Sequence, residues 1–425
     1  MKQGFSLKIL LIGAFMSMAA FLMAQDLTKD YWYPVIVKGK MGYIDKTGKL
    51  KINAAIERPS SYSMENVHTN FIVVGNTKKV LYNRQAKIVI DKYFSDIMID
   101  ETSKLIKVSA LSDNSFSMLS SKKGWYDYSG KEVIPVAFDT QILFGGYMFY
   151  EGLWCFEKDG KQGFMDTKGN IVIQPQFEYA QDFTNGLAAA RKTSSELSGY
   201  INYKGDFAIK PQFSSTGDFD EAGYALVRIN KTDKTQSIIN KKGKVLVKNI
   251  PYQPKSDGLE SPRFKNGLVP IYDTVQKKYG YMDYTGKTVI PIQFVTAKEF
   301  DKSGTTWVNI GGQIEGKGLF EKTLGGKWAL IDTKGNLVIP YFRAEQVSQF
   351  VEDLAAVKMN GLWGFMNLKG EIVIEPQWKE RPGNFDGGLA RINEKSATAK
   401  EGTFSQYMAV GYINKAGQFI WPIQE

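Results

Sequence analysis

An Asp or Asn followed three residues later by Gly recurs along this chain, and no other feature restricts its fold as much. The pairs are Asp45/Gly48, Asp127/Gly130, Asp166/Gly169, Asn202/Gly205, Asn240/Gly243, Asp283/Gly286, Asp332/Gly335, Asn367/Gly370 and Asn414/Gly417. A worn copy runs from Asn83 to Ala86. Successive copies begin 35 to 49 residues apart, a period typical of solenoids, propellers and arrays rather than of a single globular core.

Turn chemistry accounts for the spacing. The leading Asp or Asn side chain accepts hydrogen bonds from the backbone that follows it, and the Gly supplies the positive φ that closes a type I turn with a bulge. Short apolar or aromatic runs flank each turn, as in Gly199-Tyr200-Ile201 and Phe207-Ala208-Ile209. A Pro follows the Gly by five or six residues at Pro135, Pro175, Pro211, Pro291, Pro340, Pro376 and Pro422, which limits the second strand of each hairpin to a sheet edge or a bulge. Ala86 departs from the Gly position, where a left-handed residue costs about 1–2 kcal/mol, so the second repeat is expected to be the least regular.

A third strand-like run precedes most hairpins: Tyr33 to Val37, Phe71 to Val74, Leu153 to Phe156, Leu187 to Ala190, Ala225 to Arg228, Leu268 to Ile271, Leu354 to Val357 and Leu389 to Arg391. Several carry an aromatic-x-x-small-Leu lead-in, as in Phe149/Gly152/Leu153, Phe183/Gly186/Leu187, Phe264/Gly267/Leu268, Phe350/Asp353/Leu354 and Phe385/Gly388/Leu389. The expected fold is therefore all-β, with about ten tandem three-stranded meander or β-hairpin repeats. Such units are marginal alone and must pile their apolar faces on neighbours. Propeller blades usually have four strands, so three-stranded units favour a stacked solenoid, with a closed propeller-like ring as the alternative.

The combination of a Gly-aromatic pair, Asp-x-x-Gly-Lys, an Ile-Pro or Ile-x-Pro run and Phe-x-x-Gly-Leu-Ala resembles the WG-repeat family of bacterial proteins, many of them exported. The resemblance is strongest from Gly124 to Pro422 and weakest from Asn53 to Lys122. Trp363-Gly364 has the full pair; Met41-Gly42, Gln162-Gly163, Ser198-Gly199 and Tyr279-Gly280 keep the Gly, and Trp328-Ala329 keeps the Trp. The resemblance implies a repetitive β architecture and no catalytic residues.

Lys2 and Lys8 precede an apolar run from Ile9 to Met23, with Ala24-Gln25 as a cleavage point. The pattern reads as a secretory signal peptide over 1–24, since about 15 apolar residues are short of the roughly 20 needed to span a bilayer. The expected organisation is then a leader over 1–24, degenerate repeats over 25–122 and regular repeats over 123–425, with no transmembrane span after cleavage. The expected location is exported, either periplasmic or extracellular at the cell surface. Cys155 is the only cysteine, so no intramolecular disulfide can brace the chain.

The residues offer little for chemistry. His68 is the only histidine, and no second His or Cys near it completes a zinc site. Cys155 sits among bulky residues in Leu153-Trp154-Cys155-Phe156, as an inert buried thiol would. Gly311 to Gly318 approximates a phosphate-binding loop but has Gly318 where Ser or Thr is needed. The turn aspartates come one to a loop, often beside Lys, where calcium needs several carboxylates. No catalytic, cofactor-binding or metal-binding residue is assigned.

Two repeating surface features remain. Lysines lie in or just after most turns, at Lys46, Lys49, Lys131, Lys168, Lys204, Lys241, Lys242, Lys244, Lys287, Lys334 and Lys369, and in a chain of net charge +10 they suit either edge protection or an acidic ligand. Tyr43, Trp125, Phe164, Tyr200, Tyr281, Phe365 and Tyr412 share one strand position, which suits core packing or, alternatively, a ladder for sugar rings. Irregular insertions are expected at Leu111 to Lys123, Ser303 to Gly326 and Glu394 to Tyr407. The functional expectation is a non-catalytic exported binding scaffold at the cell envelope, for protein partners or envelope glycan and not nucleic acid. The alternatives are an envelope hydrolase with its site in a long insertion, and a passive structural element.

Overall fold

The computed structural model describes residues 31–38, 40–57, 70–75, 78–85, 87–111, 121–139, 146–233, 235–250, 263–316, 322–394 and 409–424. The leader over 1–24, His68, Ala86 and the greater part of the insertions after Leu111 and Glu394 lie outside these residues. The described strands form ten antiparallel sheets of three or four strands each, consecutive in nine of them, and one two-stranded arm. In chain order the sheets are sheet 1 (33–57), sheet 2 (71–94), sheet 3 (96–138), sheet 4 (153–177), sheet 5 (179–213), sheet 6 (215–250), sheet 7 (268–294), sheet 8 (296–342), sheet 9 (346–378) and sheet 10 (385–424).

Sheet 4 shows how the sequence makes one unit. Leu153–Lys158 and Lys161–Asp166 pair through a two-residue turn in which Asp159 and Gly160 have φ of 53° and 71°, the left-handed pair that matches strand twist. Asp166 to Gly169 then closes the expected second turn. The Gly169 N–H donates to the Asp166 carbonyl at 3.0 Å, Asp166 Oδ1 accepts from the N–H groups of Lys168 and Asn170 at 2.9 Å each, and Gly169 has φ 85°. Ile171–Phe177 returns beside the middle strand.

The returning strand bulges, and the bulge explains the Gly of the Gly-aromatic pair. Phe164 pairs with Ile173 and Gln162 with Phe177, so between these pairs the single residue Gly163 faces three. The displaced backbone comes so close that a Cβ on Gly163 would stand 2.5 Å from the Ile173 carbonyl oxygen and 2.7 Å from the Pro175 nitrogen. Gly42, Gly124, Gly199, Gly280 and Gly364 face the same bulge of three residues. Where the bulge has one residue fewer, Ser237 and Ala329 occupy the position, alongside Gly411. Val80 faces the wider bulge without being Gly, in the repeat expected to be least regular.

Six of the ten sheets have a fourth strand that the sequence pattern missed. Five of these strands are only two residues long, for example Tyr179–Ala180 and Ser215–Thr216. Each follows the returning strand of the preceding sheet after a short link, a single residue in the case of Phe177 to Tyr179, and pairs in the next sheet. The expectation of three strands per unit is corrected accordingly. Ser303 to Gly326 is also more regular than expected, since Thr305–Ile310 pairs with Lys327–Asp332 in sheet 8 and Gln313–Glu315 pairs with Lys322–Leu324 as the arm.

The chain divides into two compact units, one of residues 1–72, 351–354 and 380–425, the other of 73–350 and 355–379. In the second unit each turn Gly stands against the returning strand of the sheet before it. Gly169 faces Ile134, Gly205 faces Ile173, Gly243 faces Ile209, Gly286 faces Val247, Gly335 faces Ile290 and Gly370 faces Ile339. Tyrosines at the shared aromatic position reach forward instead, Tyr200 donating to the Gly217 carbonyl and Tyr281 to the Lys298 carbonyl, both at 2.7 Å.

The first unit contains sheets 1 and 10, and they make these same two contacts with each other. Gly48 stands against Ile420, and the Tyr412 hydroxyl donates to the Pro34 carbonyl at 2.9 Å. Tyr33 adds bonds to the Asp386 and Gly387 carbonyls at 2.9 and 2.8 Å, with its ring 5.4 Å from that of Tyr412. First and last sheets of a solenoid have no such contact, so the solenoid expectation is overturned and the propeller-like alternative stands. Sheets of three strands do not prevent it, because closure depends on how faces stack rather than on strand count.

Gly163→Ala is expected to lower stability by about 1–3 kcal/mol through overpacking of the bulge, whereas Ala329→Gly should cost no more than the roughly 0.5–1 kcal/mol of a Gly in a strand. Urea unfolding of the two variants checks this; equal losses would show that the bulge does not select the residue.

Candidate functional site

The turn lysines, which suit either edge protection or an acidic ligand, are presented to solvent by the turns. Each loop is held by its leading side chain: Asp45 Oδ1 accepts from Thr47 and Lys49 N–H at 2.9 and 3.1 Å, and Asn367 Oδ1 from Lys369 and Glu371 N–H at 2.9 and 3.1 Å. The carboxylate or amide is thereby consumed by the backbone, and the lysine beside it is left pointing outward. Lys46 and Lys49 in the first unit, and Lys131, Lys168, Lys204, Lys241, Lys242, Lys244, Lys287, Lys334 and Lys369 in the second, are all exposed. None forms an ion pair with a described residue.

Aliphatic residues lie beside these loops in the second unit. The Lys204-Gly205 loop rests on Ile173, whose neighbour Val172 is 44% exposed. The Gly286 loop rests on Val247 next to Leu246, 41% exposed, and the Lys369-Gly370 loop on Ile339 next to Val338, 43% exposed. In these three repeats an exposed aliphatic residue therefore adjoins, along its strand, the position on which the next hairpin loop rests.

The aromatic positions do not contribute to that surface. Tyr43, Trp125, Phe164, Tyr200, Tyr281, Phe365 and Tyr412 are all buried, with neighbours such as Phe183 at 4.9 Å from Phe164 and Phe219 at 4.8 Å from Tyr200. Their faces are sheet-to-sheet packing, and a ladder for sugar rings at these positions is overturned.

The other sequence candidates are equally committed. Cys155 is buried, and burial pushes its thiol well above the ordinary range. Gly311 and Gly312 form a bend leading into the strand Gln313–Glu315, not a loop opening a helix; Gly318 lies outside the described residues. The turn aspartates are held below the usual carboxylate range, Asp127 first by the Ser129 hydroxyl and, against slight desolvation, by the N–H groups of Lys131 and Ser129. Among the described residues no group of three or more His, Cys, Asp or Glu side chains is placed to hold a metal ion.

Sequence reasoning missed a polar tract in the second unit, of one buried lysine and two half-buried carboxylates, because its members are far apart in the chain. Lys107 is 6% exposed and donates to the Gly146 and Tyr147 carbonyls at 2.7 Å each; burial, then the charge of Lys123, brings it down to about 8. Asp182 accepts the Gly146 N–H at 2.9 Å and is pushed up to about 6, first by burial. Asp218, also raised by burial, pairs with Arg263 at 2.5 Å. Each carboxylate already has a partner in the fold, so the tract ties loops together.

These features define a class, an all-β repeat protein with propeller-type blades and lysine-bearing hairpin loops. Residues 163–194, 199–232, 279–313, 328–363 and 363–396 match the model of the WG containing repeat, and the chain belongs to that family. Curated proteins provide no match. Among solved structures, a crystal structure of the eukaryotic initiation factor aligns with a TM-score of 0.51 at 10% identity, over 83% of this chain and 96% of that one; at that identity the likeness is one of fold. Dihydro-heme d1 dehydrogenase NirN in complex with DHE aligns at 0.38 and 12% identity over 75% of each chain. Apo AztD from Citrobacter koseri aligns at 0.31 and 10% over 93% of each.

Two titrations are expected to separate the roles of these acids. Asp182, with its folded pKa raised, contributes stability that is present below the unfolded value and lost as pH rises through about 6; Asp182→Asn should therefore gain on the wild type between about pH 4 and pH 7. The turn aspartates have the opposite sign, since a lowered folded pKa gives stability that is lost as pH falls through it. Asp166→Asn should be within about 0.5 kcal/mol of wild type at neutral pH and lose less on acidification. Urea unfolding at several pH values reads both, and a wild-type-like pH profile in either variant would refute its assignment.

Proposed function

We propose that the protein is a non-catalytic binding scaffold exported to the cell envelope, and that its hairpin-loop surface holds an acidic protein partner. The observation that carries this reading is the recurrence of exposed lysines with no ion-pair partner among the described residues, with exposed aliphatic residues next to the loop contacts in three of the repeats. Lysines alone would suit edge protection. The exposed Val172, Leu246 and Val338 beside loop contacts add what a protein surface uses, where apolar contacts give affinity and complementary charge gives orientation and on-rate. An envelope glycan is the weaker ligand, because the aromatic positions that would stack on sugar rings are spent inside the fold. Export rests on the apolar leader of the sequence, and the family's repetitive architecture is consistent with a scaffold.

The test is cross-linking of the chain from residue 25 onward to an envelope protein fraction at low and high salt, with parallel co-sedimentation on cell-wall sacculi and envelope polysaccharide. The triple variant Lys168→Glu, Lys204→Glu, Lys369→Glu should bind roughly tenfold more weakly, at about 0.5 kcal/mol for each exposed charge contact. Partners retained equally by the variant would defeat the loop surface. Salt-sensitive pelleting with polysaccharide, without a protein cross-link, would replace the protein partner by a glycan.

A further inference from the structure

One cross-strand position recurs in these sheets as an ion pair and in sheet 8 as two cations. In sheet 4 the register Gln162↔Phe177 sets Lys161 opposite Glu178, and their side chains meet at 3.0 Å. In sheet 3 the register Lys123↔Phe138 sets Lys122 opposite Asp139, which meet at 2.5 Å. The corresponding register in sheet 8, Trp328↔Phe342, sets Lys327 opposite Arg343. Like charges facing each other across a strand pair are destabilising. Sheets 2, 5, 7 and 9 avoid the conflict by placing Lys78 opposite Ser95, Leu197 opposite Ser214, Lys278 opposite Val295 and Leu362 opposite Lys379.

The two cations of sheet 8 line a cleft of about 730 Å³, within the range of small-molecule sites. A bent hairpin forms one wall. The strands Thr305–Ile310 and Lys327–Asp332 break at Gly311-Gly312 and Gly325-Gly326 before continuing as the arm. Buried Asn309 holds that bend, accepting the Gly312 N–H and donating to the Gly325 carbonyl, each at 3.2 Å. Met359 and Ala344 give the cleft apolar surface. Its one acidic residue, Glu345, is already taken by the Gly361 N–H at 2.6 Å and Lys358 at 3.7 Å. Lys327 and Arg343 are exposed and have no partner among the described residues.

We infer that this cleft is a binding site for a small carboxylate-bearing molecule, whose carboxylate occupies the place that Glu178 and Asp139 fill in the sibling sheets. Arg343 supplies a planar fork suited to a carboxylate and Lys327 a second charge, while the apolar wall takes the body of the ligand. The site is separate from the loop lysines and does not depend on what they bind.

Arg343→Glu is the informative variant, because it recreates the ion pair of sheet 4 and so removes the site without breaking the sheet. Saturation-transfer NMR with sodium glucuronate, sodium glutarate and glucose in large excess reads the site in the chain from residue 25 onward. Transfer to one or both carboxylates but not to glucose, reduced by salt and lost in Arg343→Glu, is the expected result; the two acids distinguish a sugar acid from an open-chain one. Absence of transfer to either carboxylate, or equal transfer in the variant, overturns the site. The variant should also unfold at a temperature no lower than wild type; if it is less stable, the premise of like-charge conflict fails, and Lys327→Gln provides the binding comparison in its place.

Discussion

A sheet of three or four short strands cannot hide its apolar face by itself, so the whole structure depends on the packing of each sheet against its neighbours. Two contacts repeat that packing. A turn Gly without a side chain lets the hairpin lie against the returning strand of the preceding sheet, and a buried aromatic, often a tyrosine, reaches the following one. Because sheet 1 and sheet 10 make both contacts together, through Gly48 with Ile420 and Tyr412 with Pro34, the terminal faces are covered as the internal ones are.

The same constraint separates residues that build from residues that are available to bind. Turn Asp and Asn side chains are consumed by loop N–H groups, the Gly of the Gly-aromatic pair by the bulge, and the aromatic by the neighbouring sheet. What the repeat leaves over is the lysine of the turn and the outward aliphatic residue of the returning strand. The proposed recognition rests on these positions and on places where one copy departs from its siblings, as sheet 8 does with Lys327, Arg343 and its bent arm.

Most of the local structure was legible in the chain. Asp-x-x-Gly at a regular period marks a turn, because few residues accept from two following N–H groups or tolerate φ near 85°, and the flanking apolar runs mark strands. The fourth strands were not legible, since a two-residue strand such as Tyr179–Ala180 has no periodicity and is defined only by its partners Arg191 and Ala190. Thr305–Ile310 was hidden by the glycines around it. The polar tract of Lys107, Asp182 and Asp218 left no signal, as its members meet only through separate repeats.

The sequence by itself determined the all-β repeat, the turn chemistry and the exposed lysines, because each follows from backbone preferences within a few residues. It could not decide between solenoid and propeller-like closure, since that depends on whether Tyr412 and Gly48, more than 360 residues apart, meet the other terminal sheet. Nor could it separate the aromatic residues from a binding surface or set Arg343 against Lys327. Both depend on burial and register, which exist only once strands far apart in sequence have paired and sheets have stacked.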